Sequence, residues 1–270
     1  METKHDTESR RLEKRLNERF VKAMATYHLI DDDDSILVAL SGGKDSLLLT
    51  ELLARRARIL HPRFRVEAVH VRMENIRYES DTTYLEHFCA SLGIPLHVVT
   101  TRFDVAEDTA HCVQQADGAA QSFKQVSSAD LRRQKQPCFL CSWNRRKQLF
   151  NLAQQIGCNK IALGHHQDDL IRTALMNLIF QGRFEAMAAK LKLRKMPITI
   201  IRPLCLIQEA DVKAFAQYRG YQKQMKLCPY EKASHRSDIA IVYDTMVQLN
   251  PEVRSSIWRA INNDTKLIED

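Results

Sequence analysis

Ile36 to Leu40 form an unbroken apolar run that stops abruptly at Ser41-Gly42-Gly43. A short run with no polar alternation predicts a strand buried on both faces of a parallel sheet. Beyond the glycines, the stretch LLLTELLARRARIL carries its apolar residues at helical spacing, so the glycine turn joins a strand to a helix. The same alternation continues along the chain. Strands are predicted at 65–73, 94–101, 160–166 and 198–204. Helices are predicted over 82–92 with its stop at Gly93, from the Cys138 turn to Gly157, from Gln167 onward, and over 208–219 with its stop at Gly220. Leu12, Leu16, Phe20, Ala23 and Leu29 give residues 8–29 an amphipathic helix, and two more follow Ser234, divided near Asn250-Pro251. The expected fold is α/β: a doubly wound parallel sheet of five strands over 35–222, with a helical N-terminal extension, 1–34, and a C-terminal cysteine loop and helices, 223–270. Residues 103–137 lack a strong period; a short helix around Asp108 to Gln115, or a lid or nucleic-acid clamp, is expected there.

Composition narrows the function classes. With 270 residues, 44% of them hydrophobic, the chain has core enough for an enzyme. No apolar run approaches the roughly 20 residues that span a bilayer. The opening METKHDTESRRLEKRL is too charged for a secretory signal, so a cytoplasmic protein with no membrane partner is expected. Seven cysteines, scattered except for one Cys-x-x-Cys, read as thiols or metal ligands and not as a disulfide framework. A net charge of +7 points to a polyanionic partner, and the charge is concentrated. Arg132, Arg133, Lys135 and Arg146 fall in one basic stretch and Lys192 and Arg194 in another; both flank the motifs below and are the expected RNA contacts. The run Asp31 to Asp34 is read as a solvated turn and not as a metal site.

The chemistry is carried by three segments. Ser41, Gly42, Gly43, Lys44, Asp45 and Ser46 present unobstructed backbone N–H groups at a helix N-terminus beside a lysine and hydroxyls, which is an anion cradle. Their spacing is not that of the Walker A loop. In a doubly wound sheet the ligand lies beyond the carboxyl ends of the strands, which brings Val69, His70 and Val71 toward the same site. The fourth strand runs into Gly164, His165, His166 and then Asp168 and Asp169 in the first turn of a helix, where carboxylates suit the dipole and can face a metal-bound phosphate. Cys138 and Cys141 share one turn and can be a redox pair, half of a zinc site or part of an iron–sulfur site. A second Cys-x-x-Cys is missing, while Cys228 sits in a loop that can meet the first pair on the ligand face. Cys89, Cys112, Cys158 and Cys205 are expected to pack as small apolar groups.

SGGKDS resembles the PP-loop of the ATP pyrophosphatase superfamily, whose members cleave ATP between its α and β phosphates and adenylate a substrate oxygen. The ordered set of SGGKDS, Cys-x-x-Cys with an Arg-rich helix, GHHxDD and a late single cysteine is similar to the tRNA 2-thiocytidine synthetase family. That resemblance implies C2 thiolation of an anticodon-loop cytidine through an adenylated base. It implies a 4Fe-4S cluster on Cys138, Cys141 and Cys228, and ATP at Ser41–Ser46, Val69–Val71, Gly164, His165 and Asp169. It also implies Mg2+ on Asp45 or Asp168, with Asp45, Arg145 and Asp168 as the catalytic set. The implied partners are tRNA, a cysteine desulfurase or other sulfur donor, and, as one option, a second copy in a homodimer. Three alternatives stand beside it: a PP-loop thiolase or amidotransferase-like ligase acting on a small molecule, a persulfide mechanism on Cys141 without a cluster, and a non-catalytic RNA-binding module.

Overall fold

In the computed structural model, the described residues are 4–74, 76–78, 81–102, 137–224, 226–227 and 235–262. Strand β1 (Asp34–Ala39) is the centre of a six-stranded sheet. Its neighbours are β2 (Phe64–Met73) on one side and β5 (Lys160–Ala162) on the other, both parallel to it. Outward from these lie β4 (Leu96–Thr101) beside β2 and β7 (Thr199–Ile201) beside β5, again parallel. The five predicted parallel strands are therefore present. The apolar run of β1 is explained by its place, because Ile36, Leu37 and Val38 are fully buried between two layers of helices.

A sixth strand, β6 (Lys190–Lys192), pairs antiparallel with β7 and closes that edge. Its Lys-Leu-Lys pattern was legible only as a basic stretch, and lysines are what an exposed edge strand carries to discourage further pairing. A separate two-stranded ladder joins β3 (Arg77–Tyr78) to β8 (Lys226–Leu227), with Arg77 opposite Leu227.

Helices fill both faces. On one, α1 (Lys4–Thr26), α2 (Lys44–Ala57), α3 (Thr83–Leu92) and α6 (Glu209–Tyr218) pack Leu16, Phe20, Leu48, Leu85 and Phe215 against Ile36, Val38 and Ala68. On the other, α4 (Pro137–Gln155) presses Ala153 onto Leu37, Val69, Val71 and Ile161. Each such fully buried aliphatic side chain contributes about 1.5–3 kcal/mol relative to exposure. The C-terminal helices α7 (His235–Leu249) and α8 (Val253–Asn262) bury Ile239, Tyr243, Val253 and Ile257 against Ile171 and Leu175 of α5 (Gln167–Gln181). The short helix expected around Asp108 to Gln115 lies outside the described residues. No described helix is long and apolar enough to cross a membrane.

The acidic turn needs a correction. Asp34 opens β1 and is buried, not solvated. Its carboxylate lies 2.5 Å from the buried Lys160 ammonium and accepts a hydrogen bond from Asn159 Nδ2 at 2.8 Å. Lys160 also donates to the Leu29 carbonyl and to Asp31 Oδ2. The sequence placed four carboxylates together, but the register of β1 turns the last one into the sheet, where a lysine from the neighbouring strand meets it.

Candidate active site

The chain leaves β1 at Ala39, and the Leu40 N–H still donates to the Val69 carbonyl at 2.9 Å. Gly42 then takes φ +80°, a left-handed conformation that glycine adopts without steric cost. Gly43 is the extended residue before α2, so the first N–H groups of that helix open toward the loop. Two hydroxyls brace the turn from inside. Ser46 Oγ donates to the Gly43 carbonyl at 2.9 Å and lies 3.1 Å from Ser41 Oγ, which the Gly43 N–H reaches at 3.3 Å. The charged pair on the loop is not buried: Lys44 Nζ stands 3.1 Å from Asp45, with the two side chains 31% and 30% exposed.

A second segment presses on the first. A Cβ built on Gly164 would stand 3.1 Å from the Asp45 carbonyl carbon and 3.2 Å from the Ser46 nitrogen, both main-chain atoms with little freedom to yield. Glycine at 164 therefore lets the exit of β5 lie directly against the nucleotide loop. His166, buried, follows it, with Nε2 3.7 Å from Asp45 Oδ1. The sequence pattern singled out His165, which is half-buried; the second histidine is the one that reaches Asp45. Asp169 Oδ2 accepts the His166 N–H at 3.0 Å and caps α5. Asp168 is turned the other way. It is buried, its Oδ2 accepts the Glu209 N–H at 2.7 Å, and its Oδ1 lies 2.6 Å from Arg254 Nη1 of α8. Facing a metal-bound phosphate would require breaking both contacts. Asp168 thus ties the starts of α5 and α6 to the C-terminal helices.

Three charged residues join this site without any motif to announce them. Glu209 lies 3.7 Å from Lys44 Nζ, 3.1 Å from Arg172 and 3.0 Å from Lys213. Burial opposes its charged form, but the Lys213 hydrogen bond and the charges of Arg172, Lys213 and His166 outweigh that and hold its carboxyl down at about 2. Arg172 and Arg254 are the others. Their only sequence signal is helical spacing from Asp168 and a basic residue in a C-terminal helix, which is too common to stand out.

His70 lies on the nucleotide side of β2, and its Nδ1 donates to the Leu40 carbonyl at 2.7 Å. That bond fixes the proton on Nδ1. Burial pushes its pKa down, helped by the charges of Arg145 and Arg72 against the pull of the Leu40 bond, so the ring is held neutral. Arg145 of α4 is thus electrostatically coupled to the strand end beside the loop. Val69 and Val71 alternate to the opposite face and bury their side chains under α4, which leaves only their main chain on the loop side.

The thiols separate by environment. Cys138 is exposed and Cys141 half-buried at the start of α4, where Cys141 packs with Leu140, Met73 and Ile76 at the carboxyl end of β2. Cys205 and Cys89 are buried in the main core, and burial raises their thiols to about 12 and about 11. Burial also raises Cys158. Protonated buried thiols are poor ligands, which leaves Cys138 and Cys141 as the described candidates. Cys112 and Cys228 lie outside the described residues, and among those described no three His, Cys, Asp or Glu side chains form a metal-binding group.

This geometry can be set against known proteins. Residues 9–135 match the PP-loop domain family. A tRNA-cytidine(32) 2-sulfurtransferase of Cellvibrio japonicus is 30% identical over 257 residues, covering 95% of this chain and 78% of that one. The chain belongs to the tRNA-cytidine(32) 2-sulfurtransferase family. Another family protein, from Teredinibacter turnerae, is 34% identical over 218 residues, with 81% of this chain and 65% of that one covered. Among solved structures, the U34-tRNA thiolase NcsA from Methanococcus maripaludis, described with its [4Fe-4S] cluster, superposes with a TM-score of 0.68 at 23% identity, over 94% of this chain and 78% of that one. This likeness extends the shared fold across nearly all of the chain.

The residues of this family member fit the groups that a PP-loop thiolase would hold. The loop is cleared by glycine at 42 and 164, the lysine and aspartate beside it are half-buried, and an exposed and a half-buried thiol stand near the neighbouring strand end. Of the basic residues, Arg146, Lys192 and Arg194 are exposed, whereas Arg132, Arg133 and Lys135 lie outside the described residues.

Proposed function

We propose that this chain uses ATP to exchange oxygen for sulfur at C2 of a cytidine in a tRNA anticodon loop. One observation carries the ligand set. The β3–β8 ladder seats Leu227 opposite Arg77, next to Ile76, and Ile76 packs in the same cluster as Leu140 and Cys141. Cys228 is the next residue after Leu227 in sequence, which supports its reading as a third ligand coming from a second element. Cys138, Cys141 and Cys228 would hold a 4Fe-4S cluster, which supplies when bound an iron position able to carry the sulfur nucleophile. Asp45 would hold Mg2+, because its carboxylate is 30% exposed and paired with the Lys44 side chain, whereas that of Asp168 is buried and engaged.

The chain's own residues then have separate tasks. The Ser41–Ser46 N–H groups and Lys44 bind the ATP phosphates, and Lys44 exchanges the Asp45 and Glu209 carboxylates for them. The cytidine O2 attacks the α-phosphorus and pyrophosphate leaves. Sulfide then adds at C2, and AMP departs carrying that oxygen. Arg145, whose charge is felt at His70, stabilises the charge on the adenylated base, and Arg146, Lys192 and Arg194, with Arg132, Arg133 and Lys135, hold RNA phosphates.

Nucleoside analysis of tRNA from cells with and without the chain tests the reaction: 2-thiocytidine should vanish on deletion. Cys228→Ala, purified anaerobically and reconstituted with iron and sulfide, should lose cluster absorbance and thiolation while still binding ATP. Full cluster and normal thiolation in that variant would remove Cys228 from the ligand set. Thiolation by an iron-free wild-type preparation would favour a persulfide on Cys141 instead.

A further inference from the structure

Residues 221–224 and, beyond them, 226–227 touch three parts of the molecule. At the start, the Tyr221 hydroxyl donates to Glu51 Oε2 at 2.6 Å, inside the face covered by α2. At the end, Lys226 and Leu227 form the ladder with β3. Between them, Gln224 makes two contacts of different kinds. Its main-chain N–H donates to the Gly42 carbonyl at 3.0 Å, and its side-chain Nε2 donates to the Asp81 carbonyl at 3.2 Å. The residue is seated so closely on the loop that a Cβ on Gly42 would stand 2.6 Å from the Gln224 Cβ. Its Oε1 is buried and has no hydrogen-bond partner among the described residues.

The Gly42 carbonyl and the Gly43 N–H belong to one peptide plane and point in opposite directions. Anchoring the carbonyl on Gln224 therefore turns the Gly43 N–H to the far side, where it meets Ser41 Oγ in the phosphate cradle. The side chain meanwhile grips the connection from β3 to α3, since Asp81 lies between Tyr78 and the start of that helix. We propose that Gln224 is a positioning residue that ties occupancy of the nucleotide loop to the ordering of the β3–β8 ladder beside the cysteine pair. The coupling is reciprocal: whatever steadies the ladder tightens the loop for nucleotide by the same factor. The inference rests on the reading of Ser41–Ser46 as a nucleotide loop, but it requires no metal cluster.

Hydrogen exchange on the cluster-free full chain, with and without saturating non-hydrolysable ATP analogue, tests it by mass spectrometry. In the wild type the analogue should slow exchange both in the loop peptide, 41–46, and in the β3 peptide, 76–78, the latter by about fivefold or more. Gln224→Ala keeps the main-chain donor but loses the grip on Asp81. It should keep the loop protection and lose the slowing at β3, a separation that simple loss of stability would not produce, because that loss would raise exchange equally with and without analogue. Loop protection with unchanged β3 exchange in the wild type would overturn the proposal. So would full β3 slowing in Gln224→Ala. Absence of protection at both peptides would instead overturn the nucleotide reading, and the coupling with it.

Discussion

The two ends of β1 carry the same chemistry in different states. At the amino end a lysine and an aspartate, Lys160 and Asp34, stand 2.5 Å apart and are each 5% exposed, with Asn159, Leu29 and Asp31 taking up the remaining hydrogen bonds. At the carboxyl end another such pair, Lys44 and Asp45, stands 3.1 Å apart and is about six times more exposed. The difference separates a strut from a tool. A buried pair is fixed by desolvation, since moving either partner strands a charge in the interior. The half-exposed pair costs less to take apart than the buried one, which a lysine must tolerate if it is to exchange a carboxylate for a phosphate.

The largest expected effects break this contrast in opposite directions. Lys160→Ala leaves Asp34 uncompensated and should lower the free energy of unfolding by about 3–5 kcal/mol. Nucleotide affinity of the folded fraction should change little. Lys44→Ala should leave the unfolding free energy within about 0.5 kcal/mol of wild type. Its pyrophosphate release should fall by about 100-fold or more. Urea unfolding and a pyrophosphate assay on both variants decide the matter, and a stability loss in Lys44→Ala matching that in Lys160→Ala would erase the distinction.

A smaller effect sharpens it through glycines. Gly164→Ala would force a methyl group to 3.1 Å from the Asp45 carbonyl carbon, so about 1–3 kcal/mol of strain and a measurable loss of nucleotide affinity are expected together. Gly157 has a φ of +74° and open space around its Cβ position. Gly157→Ala should cost only the left-handed backbone penalty, about 1–2 kcal/mol, with affinity unchanged. Equal affinity losses in the two variants would mean that the close approach of β5 to the loop is not what shapes the site.

Legibility in the sequence followed the same division. The five parallel strands and the PP-loop could be read directly, because a run such as Ile36–Leu40 and a string such as SGGKDS encode local structure and chemistry in contiguous residues. What could not be read was contributed from a distance. Glu209, Arg254 and Gln224 lie far from the motifs in sequence and reach the site only through tertiary packing, so no spacing rule joins them. Register decided other cases. A shift of one residue along β2 separates His70, beside the loop, from Val69 and Val71 in the core. One position along α5 likewise separates Asp169, which caps the helix, from the buried Asp168. The β3–β8 ladder was missed for a further reason: two residues per strand are too few to show a period.

The smallest expected effect distinguishes the two ends of β1 by pH. Near the amino end, the hydrogen bond from Lys160 holds Asp31 below the usual carboxylate range. Its folded pKa is depressed below an unfolded value near 3.8, so its contribution is complete above that value and is lost as pH falls through and below it. At the carboxyl end, burial depresses His70, a base, below 6.5. The unfolded chain then takes up the proton first, and stability falls as pH drops below 6.5 toward the folded pKa. Between pH 6.5 and 5 only the carboxyl-end group of these two is titrating. His70→Gln retains a donor for the Leu40 carbonyl without a titrating nitrogen, and it should remove part of the stability lost between pH 7 and pH 5. Urea midpoints at the two pH values measure this. If the variant loses as much stability as the wild type over that interval, the acid sensitivity originates elsewhere and His70 is not the group that reports the nucleotide end of the sheet.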